Sequence, residues 1–217
     1  MEIIKEIMEI TPQLLEGLKV TIKIFFITLV LSIPLGMIIA LFRTSKMKIL
    51  QSISRIYVTI LRGTPLLLQI LFIFFGLPYI ANININRFPA AILAMVLNYG
   101  AYFGEIFRAG ILSIDKGQYE AADILGLSKK DTFIRIIMPQ AIKRIFPPVA
   151  NEIITLVKDT SLIYVVGLDE LLKIAKIAAN RLSSIMPFVV VAIIYLIFNS
   201  IISKLLEIIE KKFSYYE

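Results

Sequence analysis

Five long apolar runs separated by short basic stretches dominate the chain. A helix needs roughly 20 apolar residues to cross the hydrocarbon core of a bilayer. Runs at 20–42, 56–77, 88–107, 148–167 and 186–206 reach that length, and 148–167 is the least apolar of them. Residues 1–19 follow a different pattern. Ile3, Ile7, Ile10, Leu14 and Leu18 recur at helical spacing, with Glu2, Lys5, Glu6 and Glu9 between them. This spacing predicts an amphipathic helix, lying either on the membrane surface or against the bundle. The pattern as a whole predicts an all-α polytopic membrane protein with five transmembrane helices and an N-terminal amphipathic helix.

One sizeable stretch, about 108–147, lies outside these spans. It is too short to hold a catalytic domain with its own core. Gln118 to Leu125 is rich in helix formers, and Gly126 suits a helix end that needs positive φ. Ser128, with Asp131 three residues on, is a helix start signal in which the hydroxyl caps free backbone N–H groups. Two short helices meeting at a glycine are therefore expected. Pro139 and Pro147-Pro148 are expected to punctuate the return to the membrane.

Composition sharpens the class. The 217 residues are 58% hydrophobic and 18% charged, with a mean hydropathy of +0.84, well above the apolar share of a soluble domain. With no Cys there are no disulfides and no thiolate metal sites; with no His, most zinc sites and His-based acid–base catalysis are excluded. The net charge of +7 is better explained by basic loops than by nucleic-acid binding. One side carries Arg43, Lys46, Lys48 and Arg55, the long loop from Arg108 to Arg144, and the C-terminal Lys204, Lys211 and Lys212. That side has twice the Lys and Arg of the other, which holds Lys5, Lys19, Lys23, Arg87, Lys173, Lys176 and Arg181. The positive-inside rule then puts the N-terminus outside and the C-terminus in the cytoplasm. No basic segment and small-residue cleavage site flank the first apolar run, so no removable signal peptide is expected.

Ionisable groups at membrane depth are costly and mark function by default. Asn98, Tyr102 and Glu105 are spaced four and three apart, so they share a face of the third span. Asn151, Glu152, Thr155, Lys158 and Asp159 form a polar stripe on the fourth. Lys158, about ten residues from Pro148, lies roughly 15 Å deep. It must face protein or water, either as part of a solute path or paired with Asp159 or Glu152 to lock helices. An amino acid's ammonium could meet Glu105 or Asp159, and its carboxylate Lys158, Thr160 or Ser161. In the second span, Pro65 removes an N–H and frees the carbonyl of Leu61. Gly63-Thr64-Pro65 should disturb that helix, lining a cavity with Gln69 or merely kinking. Gly100, Ala101 and Gly104 suit close helix packing or a dimer seam.

Several strings resemble a known family. Glu120-Ala121-Ala122, then Gly126, then Ile136-Ile137-Met138-Pro139 is similar to the EAA loop of bacterial ATP-binding-cassette importer permeases, with Met138 where Leu is usual. Leu61-Arg62-Gly63-Thr64-Pro65-Leu66, Ala101-Tyr102-Phe103-Gly104-Glu105-Ile106-Phe107-Arg108-Ala109-Gly110 and Lys158-Asp159-Thr160-Ser161-Leu162 resemble the polar amino acid permeases of the histidine, arginine and glutamine type. The likeness runs from about residue 11 to the end of the chain.

The resemblance implies a single transmembrane domain over 1–217 of the type I importer kind, with 108–147 as its coupling loop. Glu120, Ala121, Ala122, Asp123 and Gly126 would contact the ATPase subunit. Gln69, Asn98, Tyr102, Glu105, Thr155, Lys158, Asp159, Thr160 and Ser161 are the candidate solute path. No phosphate-binding Gly-x-x-x-x-Gly-Lys-Ser/Thr string occurs, so ATP and magnesium would be bound by a separate ATPase, and this chain would hold no cofactor. An outer amino-acid-binding protein would deliver solute. Five spans are few for a complete path, so a dimer with a second copy or a similar chain is expected. Transport would proceed by alternating access, and the solute would be a cationic amino acid or glutamine.

Three rival readings stand beside this one. A secondary transporter would account for the membrane acids but not for the helix–glycine–helix loop. An intramembrane hydrolase would need a Ser–Lys pair such as Ser161 with Lys158. A scaffold with no transport role is the third.

Overall fold

The computed structural model describes residues 2–213, and they are helical throughout apart from short connections. Met1 and residues 214–217 of the expected domain lie outside the described residues, as do the side chains of Glu2, Ile3 and Lys5. Helix α1 spans Glu2–Thr44. The amphipathic segment and the first span are thus one helix, not two. Pro12 and Pro34 both lie inside it. The apolar face of its first half packs against the bundle: Ile10 and Leu14 are fully buried with Leu171, Ala175, Ala178 and Val191. Arg181 pairs with Glu9 at 3.1 Å and ties the far end of that contact.

Helix α2 covers Lys48–Gly63. After the break at Thr64-Pro65 the chain resumes as α3, Leu66–Leu71, a π-helical turn, Phe72–Gly76, and α4, Leu77–Ala81. The two halves are bent by 108°. The third predicted span is α5, Arg87–Leu112. Gly36, Gly100 and Gly104 let α5 lie close on α1. A Cβ placed on Gly36 would fall 2.6 Å from Phe103 Cβ and 3.0 Å from the backbone nitrogen of Gly104. The main core joins these elements through Phe25, Ile70, Met95, Tyr99, Phe103, Leu156 and Ile163.

Helix α6, Lys116–Ile124, and the short α7, Lys129–Asp131, form the expected pair around Gly126. A π-helical turn, Thr132–Ile137, leads without interruption into α8, Met138–Asp159. The expected proline punctuation is therefore absent. Pro139 sits at the start of α8, and Pro147 and Pro148 lie inside it. The carbonyl that Pro139 would strike, four residues back at Arg135, falls in the π turn, whose wider winding accommodates it. Ile137 and Ala141 are buried against Ile114, which holds this part of the helix in place.

A 3-10 turn, Thr160–Val166, follows, then α9, Leu171–Leu182, and α10, Met186–Phe213. Helix α9 was not expected from the hydropathy pattern, because its apolar face is short. Among the described residues, three helices are long and apolar enough to cross a membrane: those at 6–44, 87–112 and 186–212, and the bent pair makes a fourth. The run at 148–167 is divided between α8 and the 3-10 turn. Two of its three charged residues, Glu152 and Asp159, line a cavity.

Candidate functional site

The site begins with a broken helix. Pro65 has no N–H to offer the carbonyl of Leu61, and two side-chain amides replace it. Gln69 Nε2 donates to that oxygen at 2.9 Å and Asn98 Nδ2 at 3.0 Å. Asn98 Nδ2 also donates to Gln69 Oε1 at 3.0 Å, and Gln69 Nε2 reaches the Thr64 carbonyl at 3.0 Å and its hydroxyl at 2.8 Å. The bend is therefore a closed hydrogen-bonded structure that joins α2, α3 and α5. A backbone carbonyl at this depth, with no water, would otherwise cost several kcal/mol.

The bend turns Arg62-Gly63-Thr64-Pro65-Leu66 into one wall of a cavity of about 530 Å³. Asn98, Tyr99 and Tyr102 of α5 form a second wall. Glu152, Thr155 and Asp159 of α8, with Leu162 beyond, form the third. The positions on α8 are three and four apart, so one helical face supplies them all. The Arg62 guanidinium lies 5.0 Å from the centre of the Tyr102 ring, a cation–π contact. The Tyr99 hydroxyl donates to Asp159 Oδ2 at 2.8 Å. The cavity thus lies within the usual size range of small-molecule sites, and its lining holds one cation and two carboxylates.

Four of the expected path residues line this cavity: Asn98, Tyr102, Thr155 and Asp159. Gln69 stands behind the wall and holds the bend. Glu105 is elsewhere, near the end of α5, where Arg43 reaches it at 3.1 Å and Arg108 Nε at 3.0 Å. It ties α1 to α5. Lys158 is exposed and does not line the cavity. The hydroxyls of Thr160 and Ser161 donate back to the carbonyls of Val157 at 2.6 Å and Lys158 at 2.7 Å. Ser161 is therefore bonded to the backbone of Lys158, which is not the geometry of a Ser–Lys nucleophile. Arg62 and Tyr99 were missed. Arg62 carried a signal, an ionisable group just before a helix break inside a span. Tyr99 carried none. Glu152 was visible only as a member of the α8 stripe.

The loop beyond α5 is a second candidate surface. Asp115 caps α6 by accepting from Gly117 N at 2.6 Å, and Ser128 caps α7 by accepting from Asp131 N at 3.1 Å. Gly126 adopts φ +72°, and Leu127 N returns to the Ala122 carbonyl at 3.0 Å. Ala122 is buried, while Glu120, Ala121 and Asp123 are exposed. The tip presents Ile124 at 87% and Leu125 at 76% exposure, well outside what an unpartnered loop gains from. Beside it, Tyr119, Glu120, Asp123, Leu127 and Phe133 line a cavity of about 460 Å³.

Comparison with known proteins bears on both surfaces. The family described as binding-protein-dependent transport system inner membrane component matches residues 32–215. A putative glutamine transport system permease protein of Rickettsia prowazekii is 40% identical over 200 residues, 92% of each chain. The arginine transport system permease protein ArtQ of Bacillus subtilis is 36% identical over 93% of this chain and 92% of its own. The L-cystine transport system permease protein TcyB of the same organism is 38% identical over 94% and 88%. Among solved structures, an amino acid ABC transporter crystallised with histidines superposes with a TM-score of 0.89 at 35% identity, covering 95% of this chain and 96% of that one. The MetNI methionine ABC transporter in an inward-facing form shares the fold, with a TM-score of 0.68 at 17% identity over 94% and 95%.

Proposed function

The chain belongs to the family of inner membrane components of binding-protein-dependent transport systems, and from that premise we propose that its cavity binds a polar amino acid in transit. The single observation that carries this reading is the cavity's charge set: one guanidinium and two carboxylates around about 530 Å³. Arg62 meets the solute carboxylate, and Asp159 or Glu152 its ammonium. The remaining carboxylate favours a cationic side chain over a neutral one. Glutamine, arginine and cystine appear in the names of similar permeases, which supports the amino-acid class and leaves the choice within it to the cavity.

The chain acts as one transmembrane domain over 1–217, and the loop at 108–147 couples it to an ATPase. The exposed Glu120, Ala121, Asp123, Ile124 and Leu125 dock into that subunit, with Ala122 and Gly126 setting the shape of the turn. ATP and magnesium bind the ATPase, and this chain holds no cofactor. An extracytoplasmic binding protein delivers solute to the opposite face. The N-terminus is outside and the C-terminus is cytoplasmic; the gathering of Arg43, Arg108, Arg144 and Lys212 at one end of the bundle supports this orientation. A second copy or a similar chain completes the path, and the two bundles rock to expose the cavity to each side in turn.

Reconstitution with ATPase and binding protein in vesicles tests the reading. Uptake of labelled arginine, histidine and glutamine should depend on Arg62, and Arg62→Gln should weaken solute affinity roughly ten- to hundredfold, the scale of a lost charged hydrogen bond. Glu152→Gln should shift preference from basic to neutral solutes. Glu120→Arg and Gly126→Asp should abolish ATP-driven uptake in a folded protein. Normal uptake by all of these variants would sink both assignments.

A further inference from the structure

Helix α2 has three distinct sides. Ser54 and Val58 are buried and Tyr57 and Leu61 partly buried, so the first side packs on the bundle. The Tyr57 hydroxyl donates to the Leu97 carbonyl at 2.5 Å and fixes it there. Ile49, Ile53, Ile56 and Ile60, spaced four, three and four apart, form a second side that is between 54% and 71% exposed. The third side is exposed and polar: Lys48, Ser52, Arg55, Thr59 and Arg62 follow at spacings of four, three, four and three. At 3.6 residues per turn these five fall within about 80° of arc, and the isoleucines are centred about 110° away.

Arg62 lines the cavity, so the polar side of α2 runs from the cavity to the start of the helix, at the end of the bundle that carries Arg43 and the loop at 108–147. The isoleucines suit lipid, but two bare cations inside a span do not. Helix α2 has no acidic residue, and among the described residues neither Lys48 nor Arg55 takes part in an ion pair. By contrast, Arg43 and Arg108 at the same end are both held by Glu105. Beyond the bend the span has no such side. Leu66–Ala81 holds no charged residue, and Gln69 is spent on the clasp around Leu61. The cavity side of α8 continues toward the same end as Pro148 and Ile145, and Ile145 sits against Gly110 of α5.

We propose that the polar side of α2 is the inner half of the solute path, and that Arg55 is a second site for the solute carboxylate, two turns below Arg62. A carboxylate that leaves Arg62 gives up a charge-assisted hydrogen bond. Arg55 and then Lys48 replace it in steps of about 10 Å. Each step is close to the screening length of about 8 Å at physiological salt, so the next cation is felt as the last is lost. Thr59 and Ser52 supply hydroxyls between them. The inference rests on the amino-acid reading of the cavity and adds the route by which the solute leaves.

The chain has no Cys, so single cysteines report cleanly. In inside-out vesicles holding the chain with its ATPase, Ser52→Cys and Thr59→Cys should gain the mass of membrane-impermeant methanethiosulfonate reagents. Ile53→Cys and Ile60→Cys should not. A sulfonate-bearing reagent should label Thr59→Cys about tenfold faster than a trimethylammonium one, the scale of steering by a charged cleft, and adding Arg55→Gln should bring the ratio near one. In reconstituted uptake, Arg55→Gln should lower the maximal rate about tenfold, the scale of a lost charged hydrogen bond, and leave the half-saturating concentration unchanged. Arg55→Lys should restore most of the rate, and Lys204→Gln, an equal charge lost on α10, should change nothing. Labelling of positions 52 and 59 no faster than 53 and 60 overturns the proposal, because lipid or protein then covers the polar side. Normal uptake by Arg55→Gln overturns it in favour of a water-filled crevice that the solute bypasses. If Arg62→Gln leaves solute affinity intact, the cavity reading itself fails; if Arg62→Gln weakens affinity and Arg55→Gln leaves the rate intact, only the exit route fails. Should Arg55→Gln not fold, the comparison of positions 52 and 59 with 53 and 60 decides alone.

Discussion

The Leu61 carbonyl is the residue-scale key to the site. Two amides hold it, and either one can partly stand in for the other. Asn98→Leu or Gln69→Leu alone should lower stability by about 1 kcal/mol, while the double variant should lose more than the sum, because the oxygen is then left with no donor. Thermal melting of the three variants in detergent checks this; strictly additive losses would argue against a shared clasp. Glu170 offers a second test, at the start of α9. It is fully buried, and burial pushes its carboxyl up from 4.5 to about 7, against the opposing pull of the Leu172 and Lys173 N–H groups and the Tyr195 hydroxyl. The folded chain therefore holds this proton more tightly than the unfolded one. Below pH 4.5 the group carries no penalty, and stability falls as pH rises from there to about 7, by about 3 kcal/mol in full. Melting temperature measured from pH 4.5 to 8 should fall more steeply in the wild type than in Glu170→Gln.

At the scale of elements, the helix–glycine–helix loop was legible residue by residue. Gly126 ends α6 with positive φ, and Ser128 starts α7, as their spacing predicts. A Cβ on Gly126 would meet nothing within 4 Å, so only the backbone resists substitution. Gly126→Ala should therefore cost about 1 kcal/mol, and Gly126→Asn less, because Asn tolerates the left-handed region. Chemical denaturation of the two variants checks the order. The boundaries of α8 were not legible. Proline is a reliable breaker only where the carbonyl four residues back is fixed, and the π turn at 132–137 removes that condition for Pro139. The continuity of the N-terminal helix was not legible either: the expected amphipathic helix is present and packs on the bundle, but it runs on into the first span. Its change from amphipathic to apolar marks a change in what it packs against, not an end of the helix.

For the whole molecule, the contact between α1 and α5 decides how the walls of the cavity meet. Gly36 lies against Phe103 and the backbone of Gly104, so an added methyl has no flexible neighbour to displace. Gly36→Ala should cost about 1–3 kcal/mol, the range for overpacking a close seam. It should also lower transport, because α5 carries Asn98, Tyr99 and Tyr102. Melting and uptake measured on the same preparation check both effects. Stability and uptake unchanged in this variant would mean that the seam yields without cost.

Hydropathy and spacing alone determined the all-helical membrane class, the course of α5 and α10, the break at Pro65 and the turn at Gly126. Each of these depends on local backbone chemistry or on the length of an apolar run. Only the tertiary structure decided which polar residues form the cavity. Asn98, Tyr102 and Glu105 share a helical face, yet Glu105 lies further along it, beside Arg43 and Arg108, and is neutralised there. Arg62, Tyr99 and Glu152 come from three separate elements and meet only because the 108° bend brings the first of them round. Helical periodicity specifies the direction a side chain takes from its axis, but what stands at that direction and depth depends on how the helices pack.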